Sequence, residues 1–195
     1  MRDSVKISTR EEGGKYLGID DNTLLVTITG GSQGSHHINE AMAEYYKQYH
    51  SKKNILFYHI VGKQNNADGT AVEHAPHVRV KSYEERMDLV LARTDICVGR
   101  AGASFLAEVA VKGIPAVLVP YPFSNGHQEK NAAYFDGIGA AKMVLDRDLP
   151  GGLVEALNRL IDDEVYRKEV GQKMLGEAKA DALDKIVEAG MALVR

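Results

Sequence analysis

The chain has 195 residues, of which 44% are hydrophobic, and folding a chain of this length into one domain buries about 70% of its unfolded surface. Lys and Arg number 24 against 27 Asp and Glu, a formal net charge of -3 without the basic excess of nucleic-acid-binding proteins. The single cysteine, Cys97, excludes an internal disulfide framework and a multi-cysteine metal site, and favours a reducing, cytoplasmic compartment. The charged start and the lack of any apolar run of about 18 residues predict a chain that is neither exported nor membrane-spanning.

Predicted strands and helices alternate along the chain after a polar lead-in. The lead-in covers residues 1–22 with one short helix, and residues 62–76 form a long polar loop. Short apolar, β-branched runs predict six strands, at residues 24–29, 54–61, 77–80, 95–99, 116–120 and 141–145. Helical patterns occupy residues 38–50, 84–93, 104–111, 128–135, 153–162, 164–177 and 182–194.

This alternation predicts an α/β fold with one doubly wound parallel sheet and a helical carboxyl terminus, because parallel strands need helical crossovers. We expect a single domain over residues 1–195, with its core over residues 23–195. Cys97 lies in a predicted buried strand and is interpreted as a core residue. In such a sheet, ligands bind beyond the carboxyl ends of the strands, and three strand-to-helix turns have distinctive chemistry.

The first turn, Gly30–Ser35, lies between a predicted buried strand and a helix. Its glycines allow positive φ and a close backbone approach to a ligand, and the N-terminal amides of the following helix favour a phosphate. The pattern is neither the GxGxxG dinucleotide fingerprint nor a Walker A loop. Taken alone, it is equally consistent with a tight turn that binds nothing.

The second turn runs from Gly99 to Ser104 and is followed by Glu108. Small residues again leave helix amides free for an anion. Glu108 follows Ser104 by four residues, so it lies on the same helix face and can accept hydrogen bonds from two vicinal hydroxyls. This spacing suits a phosphate followed by a ribose diol; the alternative is that Glu108 is an ordinary solvated residue.

The third turn places His127, Gln128 and Asn131 at the start of a helix. Imidazole and carboxamide groups offer directional hydrogen bonds that suit sugar hydroxyls, although a histidine here is also consistent with a structural role. His36 and His37, beside the first turn, lack a clear third ligand. We interpret them as surface residues rather than as a metal site.

Together, the three turns resemble the carboxyl-terminal domain of the MurG family. The matching residues are Gly30-Gly31-Ser32-Gln33-Gly34, Arg100-Ala101-Gly102-Ala103 with Glu108, and His127-Gln128-Glu129-Lys130-Asn131-Ala132. Each motif is weak alone, but the three occur in order at predicted strand ends, and the likeness covers essentially the whole chain. It implies a Rossmann-like half of a GT-B fold, in an inverting transferase that adds N-acetylglucosamine from UDP-GlcNAc to the lipid-linked muramyl-pentapeptide of bacterial peptidoglycan synthesis.

The resemblance also implies roles for the matching residues. Glu108 would bind the ribose hydroxyls, and Arg2 would help to neutralise the diphosphate. The backbone of Glu84, within the matching segment Tyr83-Glu84-Glu85-Arg86-Met87, would read the uracil edge. The first turn would approach the diphosphate and the sugar, the second turn the pyrophosphate and the sugar, and the third the N-acetylglucosamine. The implied donor-site residues are Arg2, Ser32, Gln33, Glu84, Gly102, Ala103, Ser104, Phe105, Glu108, His127, Gln128 and Asn131.

The resemblance implies no metal, no cofactor and no catalytic residue in this chain. We expect the family's amino-terminal acceptor domain, with its general base and membrane-associating surface, to be absent. The chain alone is then expected to be inactive, and to act with that domain as its partner at the inner face of the plasma membrane. Two alternatives remain open: a nucleotide-sugar epimerase or hydrolase domain, and a non-catalytic interaction module of the same fold.

Overall fold

The computed structural model describes residues 3–49, 54–63 and 76–178. The predicted helix over residues 182–194, most of the predicted loop over residues 62–76, and Arg2 lie outside these ranges. No helix within them has the length and apolar character needed to cross a lipid bilayer.

Six parallel strands form one sheet in the order β3-β2-β1-β4-β5-β6, which confirms the predicted fold class. The chain builds this sheet outward from β1 to β3 in one direction, and then from β4 to β6 in the other. In the centre, Val26 lies opposite Phe57 on one side and Ile96 on the other. The strands are β1 (Leu24–Thr29), β2 (Ile55–Ile60), β3 (Val78–Lys81), β4 (Ile96–Gly99), β5 (Ala116–Leu118) and β6 (Ala141–Met143).

Helices connect the strands and cover both faces of the sheet. Most predicted boundaries differ from the observed ones by no more than two residues, as expected where helix ends fray. A short 3₁₀ helix, Asp146–Asp148, follows β6. The α-helices of the described ranges are α1 (Asp3–Ile7), α2 (Arg10–Leu17), α3 (His36–Gln48), α4 (Met87–Arg93), α5 (Ala103–Val111), α6 (His127–Gly137), α7 (Gly151–Asp162) and α8 (Glu164–Gly176).

The lead-in contains two helices, so the prediction of one short helix was wrong. The second, α2, begins at a capping box in which Thr9 and Glu12 satisfy each other's backbone amides. It ends at Gly18, whose φ of 63° is the left-handed conformation that favours glycine. These local signals make α2 a complete helix of 8 residues despite its polar composition.

The helix predicted from residue 84 begins only at Met87. The cause is Glu84, whose carboxylate accepts a hydrogen bond from the backbone amide of Arg86 at 2.8 Å. This side-chain bond competes with the helical pattern, so Glu84 and its neighbours form a turn before α4.

The core lies on both faces of the sheet because side chains alternate along each strand. In β4, Ile96 and Val98 pack toward α3 and α7, whereas Cys97 packs toward α4 and α5. Burial raises the pKa of the Cys97 thiol to about 12, which agrees with its interpretation as a core residue. Because helices cover both faces of the sheet, the part left open is the edge formed by the carboxyl ends of the strands, where the three turns lie.

Candidate functional site

The two glycine turns lie at the point where the strand order reverses. The first follows β1 and the second follows β4, and these two strands are neighbours in the sheet. In open α/β sheets, the crevice beyond the carboxyl ends of strands at such a switch point is the usual ligand site. The fold therefore brings both predicted anion-binding turns to one place.

A cavity of about 840 Å³ lies at this edge, and all three predicted turns contribute to its wall. Its volume is in the range of roughly 300–1,000 Å³ that is typical of small-molecule sites. The predicted site residues that line it are Gln33, Gly102, Ala103, Ser104, Phe105 and Gln128.

Four other predicted site residues, Ser32, Glu108, His127 and Asn131, are not among the described residues that line this cavity. Ser32 is exposed within the first turn, and His127 is exposed at the start of α6. Glu108 lies on α5 and is only 8% exposed, so it is a buried residue of the site region rather than a solvated surface residue. Asn131 donates a hydrogen bond to the carbonyl of Ala101 at 3.1 Å, which ties the third turn to the second.

The first turn needs its glycines for close packing. Gly31 and Gly34 have φ values of 87° and 78°, a conformation that costs little only for glycine. A Cβ on Gly30 would fall 2.2 Å from the amide nitrogen of Ser35. The hydroxyl of Ser35 caps α3 by accepting from the amide of Ile38 at 3.4 Å. The turn is thus a compact loop whose shape the sequence dictates.

At the second turn, helix α5 begins without a side-chain cap. Its N-cap residue is Gly102, which has no side chain to accept a hydrogen bond from the first amides. Those amides, from Ala103 onward, carry the positive end of the helix dipole and line the cavity. The arrangement suits an anion such as a phosphate.

Arg100 fastens the turns together. Its guanidinium donates to the Ser35 hydroxyl at 2.6 Å, to the Asp146 carboxylate at 2.5 Å, and to the carbonyls of Val119 and Pro120 at 3.2 and 3.1 Å. Asp146 also pairs with His37; His37 is exposed, as interpreted from the sequence, and also belongs to this cluster. Burial alone would raise the pKa of the Asp146 carboxyl, but its hydrogen bonds with His37 and Arg100 lower it.

The third turn is held by its own side chains. The Oε1 atom of Gln128 accepts from the backbone amide of Tyr121 at 3.0 Å, and the hydroxyl of Ser124 accepts from the amide of Gln128 at 3.2 Å. Asn125 and Gly126 both have positive φ, 51° and 76°. Gln128 also lines the cavity, and the NH₂ group of its carboxamide is a hydrogen-bond donor.

Glu84 has a side-chain role that the sequence did not suggest. Its buried carboxylate, 3% exposed as a residue, accepts from the hydroxyls of Tyr58 at 2.5 Å and Tyr16 at 2.8 Å and from the ammonium of Lys81 at 3.0 Å. Burial alone would raise the pKa of this carboxyl, but these bonds and the Arg86 amide outweigh it and lower the pKa to about 2. The carboxylate is thereby committed to the protein, and only the backbone of Glu84 remains for a ligand.

A second cavity, of about 860 Å³, lies at the opposite edge of the sheet. It is lined by residues that precede the strands, such as Thr23 before β1 and Asp95 before β4. Its volume matches that of the first cavity, but neither glycine turn contributes to it. Location and chemistry, rather than size, therefore identify the carboxyl-edge cavity as the candidate site. Within residues 3–49, 54–63 and 76–178, no three His, Cys, Asp or Glu side chains are grouped so as to hold a metal ion.

Comparison with known proteins identifies the family of this chain. The family described as Glycosyltransferase family 28 C-terminal domain matches residues 25–186. A curated relative from Desulfitobacterium hafniense (strain Y51), named as a UDP-N-acetylglucosamine–N-acetylmuramyl-(pentapeptide) pyrophosphoryl-undecaprenol N-acetylglucosamine transferase, is 36% identical over 188 residues, covering 92% of this chain and 51% of the relative. The chain thus spans about half the length of the curated relatives it matches.

Solved structures agree on the fold. The crystal structure of MurG from Acinetobacter baumannii matches with a TM-score of 0.79 and 26% identity, over 95% of this chain and 54% of that one. A UDP-GlcNAc 2-epimerase from Neisseria meningitidis matches with a TM-score of 0.62 at 14% identity, over 92% of this chain and 48% of that one, which shows a shared fold alone. The resemblance to MurG expected from the three turns is confirmed, and the chain belongs to the glycosyltransferase family 28 C-terminal domain family.

Proposed function

We propose that this chain is the donor-binding half of an inverting glycosyltransferase, which holds UDP-GlcNAc for transfer to a lipid-linked peptidoglycan precursor. The observation that carries the proposal is the shared cavity, into which the two glycine turns and the Gln128 turn all project. The similarity to N-acetylglucosamine transferases and to MurG supports the donor and the acceptor class.

In this proposal, each part of the donor is bound by a different segment. The amides at the start of α5 and the first glycine turn bind the diphosphate, since residues of both segments line the cavity. Glu108 accepts from the ribose hydroxyls, and the backbone of Glu84 reads the uracil. His127 and Gln128 contact the N-acetylglucosamine, while Asn131 supports their turn through Ala101.

The work of such a half is positioning and charge stabilisation. A donor held at three points presents its anomeric carbon in one orientation, which lowers the entropic cost of attack by the acceptor hydroxyl. As the bond to the sugar breaks, negative charge grows on the departing UDP, and the helix-end amides and Arg2 stabilise it. This scheme assigns no role to a divalent cation.

The acceptor hydroxyl and the general base that deprotonates it belong, in this proposal, to a second, acceptor-binding domain. That domain also binds the lipid-linked acceptor and makes the contact with the inner face of the plasma membrane. The chain itself is proposed to work in the cytoplasm and to transfer no sugar without this partner.

Calorimetric titration of the chain with UDP-GlcNAc tests the proposal. We expect saturable binding, and no heat at millimolar ligand from a protein with a folded circular-dichroism spectrum would contradict it. Incubation with UDP-GlcNAc in the absence of an acceptor separates the enzymatic rival, because free UDP or an epimer would indicate a hydrolase or epimerase.

A Glu108→Ala variant separates the donor site from a non-catalytic interaction module. Loss of a buried hydrogen-bonding carboxylate should weaken UDP binding about tenfold or more. Glu155→Ala, which removes an exposed carboxylate on α7, is the matched control and should bind as the parent does. Equal affinity in both variants would remove Glu108 from the site.

A further inference from the structure

Lys63 lies between two segments of the candidate site. It follows β2 at the carboxyl edge of the sheet, and its backbone amide donates to the carbonyl of Ser32 in the first glycine turn at 3.2 Å. Its ammonium lies 4.1 Å from the centre of the Tyr83 ring, in the segment after β3. One residue thus joins the proposed diphosphate turn to the proposed uracil segment.

The backbone around Lys63 is fixed by close packing. Gly62 has a φ of 101°, and a Cβ on it would fall 2.3 Å from the Cα and amide nitrogen of Gly34. Since no side chain fits there, the exit of β2 rests directly on the first glycine turn. The base of the Lys63 side chain is therefore held beside that turn, whereas its exposed, flexible stem leaves the ammonium free to move.

The described charged groups around the cavity form no ion pair with the Lys63 ammonium. Arg100, which lines the cavity, is engaged by Asp146, Ser35 and two carbonyls. His37 pairs with Asp146, and His36 with Glu40 at 3.1 Å. Over the described part of the chain, Lys63 has no carboxylate within ion-pair distance, and its ammonium rests on a neutral ring instead. A nucleoside diphosphate bound to the first turn would bring further negative charge, and among the described residues the other basic side chains around this turn, Arg100, His36 and His37, already pair with carboxylates.

We propose that Lys63 is a further donor-site residue, whose ammonium binds the phosphate groups of the nucleotide held by the first glycine turn. This inference rests on the proposed function. Without a ligand, the Tyr83 ring holds the Lys63 ammonium beside the candidate site by a cation–π contact. This contact is weaker than an ion pair with a phosphate. A bound diphosphate therefore draws the ammonium off the ring, and Lys63 adds affinity for the phosphates rather than for the nucleoside.

The test compares UDP with uridine in variants of the full chain. Lys63→Met should weaken UDP binding about tenfold, because a charge-assisted contact is lost, and should leave uridine binding unchanged. Lys63→Arg keeps the charge and should bind UDP within about threefold of the parent. Lys168→Met is the matched control, since it removes an exposed lysine that pairs with Glu164 on α8, and it should affect neither ligand.

Salt provides a second readout. The UDP affinity of Lys63→Met should decline less steeply with ionic strength than that of the parent, because one ion pair is missing. Unaltered UDP affinity in Lys63→Met, or an equal loss for UDP and uridine, would overturn the inference while leaving the proposed function intact. If the parent chain binds no UDP, the proposed function fails, and the inference fails with it.

Discussion

The two edges of the sheet each carry an arginine paired with an aspartate, and the two pairs differ in what surrounds them. At the amino edge, the side chain of Arg93 is 0% exposed and bonds to Asp95 at 2.7 Å and to the carbonyls of Asp20 and Thr23 at 2.8 and 2.5 Å. At the carboxyl edge, Arg100 bonds to a similar set of acceptors but lines an open cavity.

The difference shows how one kind of interaction serves two purposes. Arg93 fixes the loop before β1 against α4, and Gly13 packs so closely there that a Cβ would fall 2.8 Å from the Cβ of Arg93. Arg100 instead joins three turns around the carboxyl-edge cavity. We therefore expect a change at Arg93 to alter stability alone, and a change at Arg100 to alter ligand affinity as well.

The largest expected effect is from Arg93→Met. Removing the guanidinium takes three charge-assisted hydrogen bonds from the amino edge, one to Asp95 and two to the carbonyls of Asp20 and Thr23. This loss should lower the free energy of unfolding by about 3–5 kcal/mol, although Asp95 keeps the Leu25 amide and Arg10 as partners. The measurement is denaturant unfolding followed by circular dichroism. The UDP affinity of the folded fraction should stay unchanged. A variant that binds UDP more weakly but is as stable as the parent would contradict the comparison of the two edges.

Glu84 sharpens the comparison, because it lies at the carboxyl edge like Arg100 but is buried like Arg93. Its folded pKa of about 2 lies below the ordinary glutamate value of 4.5, so its stabilisation is complete above pH 4.5 and is lost as pH falls toward 2. At pH 7, Glu84→Gln should lower the free energy of unfolding by on the order of 3 kcal/mol. Measured between pH 5 and 2, roughly, the parent should lose more stability than the variant does.

The matched control for this prediction is Glu85→Gln, at the exposed neighbouring position. Its stability should follow that of the parent at every pH. If Glu84→Gln and the parent show the same acid dependence, the Glu84 carboxylate is not the group that titrates.

At Arg100, in contrast to Arg93, we expect an effect on binding as well as on stability. Arg100→Met removes the bonds to Ser35 and Asp146 that fasten the first turn to the second, and should weaken UDP binding about tenfold while costing about 2 kcal/mol of stability. Arg147→Met, at an exposed position in the same 3₁₀ helix as Asp146, makes the same change in net charge and should bind normally. Normal UDP affinity in Arg100→Met would show that the turns hold their shape without this side chain.

The smallest expected effect is from Gln128→Ala, which removes a carboxamide that lines the cavity. Loss of one neutral hydrogen bond should weaken UDP-GlcNAc binding about threefold to tenfold and leave UDP binding unchanged. Competition titrations with UDP-GlcNAc and UDP measure the ratio of the two affinities directly. An equal loss for both ligands would place Gln128 at the nucleotide rather than at the sugar.

The parts of the molecule that could be predicted from the sequence are those with local signals. Alternating apolar runs and helical patterns predicted the six strands and the sheet class, because strands joined by helices have few ways to pack. The glycine turns were recognisable because they follow buried strands directly. Helix α1 was missed because its 5 residues are too few to show a helical period.

The side-chain networks could not be predicted, because their partners are far apart in the chain. Glu84 bonds to Tyr16, 68 positions away, and to Tyr58, 26 positions away. Arg100 lies within the second turn that the sequence indicated, but its partner Asp146 is 46 positions away. No periodicity or motif encodes such pairs, and only the folded sheet brings them together.

The central claim is that three separate turns hold one UDP-sugar. The most direct test is a titration of the isotope-labelled chain with UDP-GlcNAc, following the backbone amide resonances of Gly31, Gly102 and Gln128 by NMR. The account predicts that all three resonances shift with the same midpoint, because one molecule contacts all three turns. Shifts confined to one turn, or different midpoints for different turns, would contradict it.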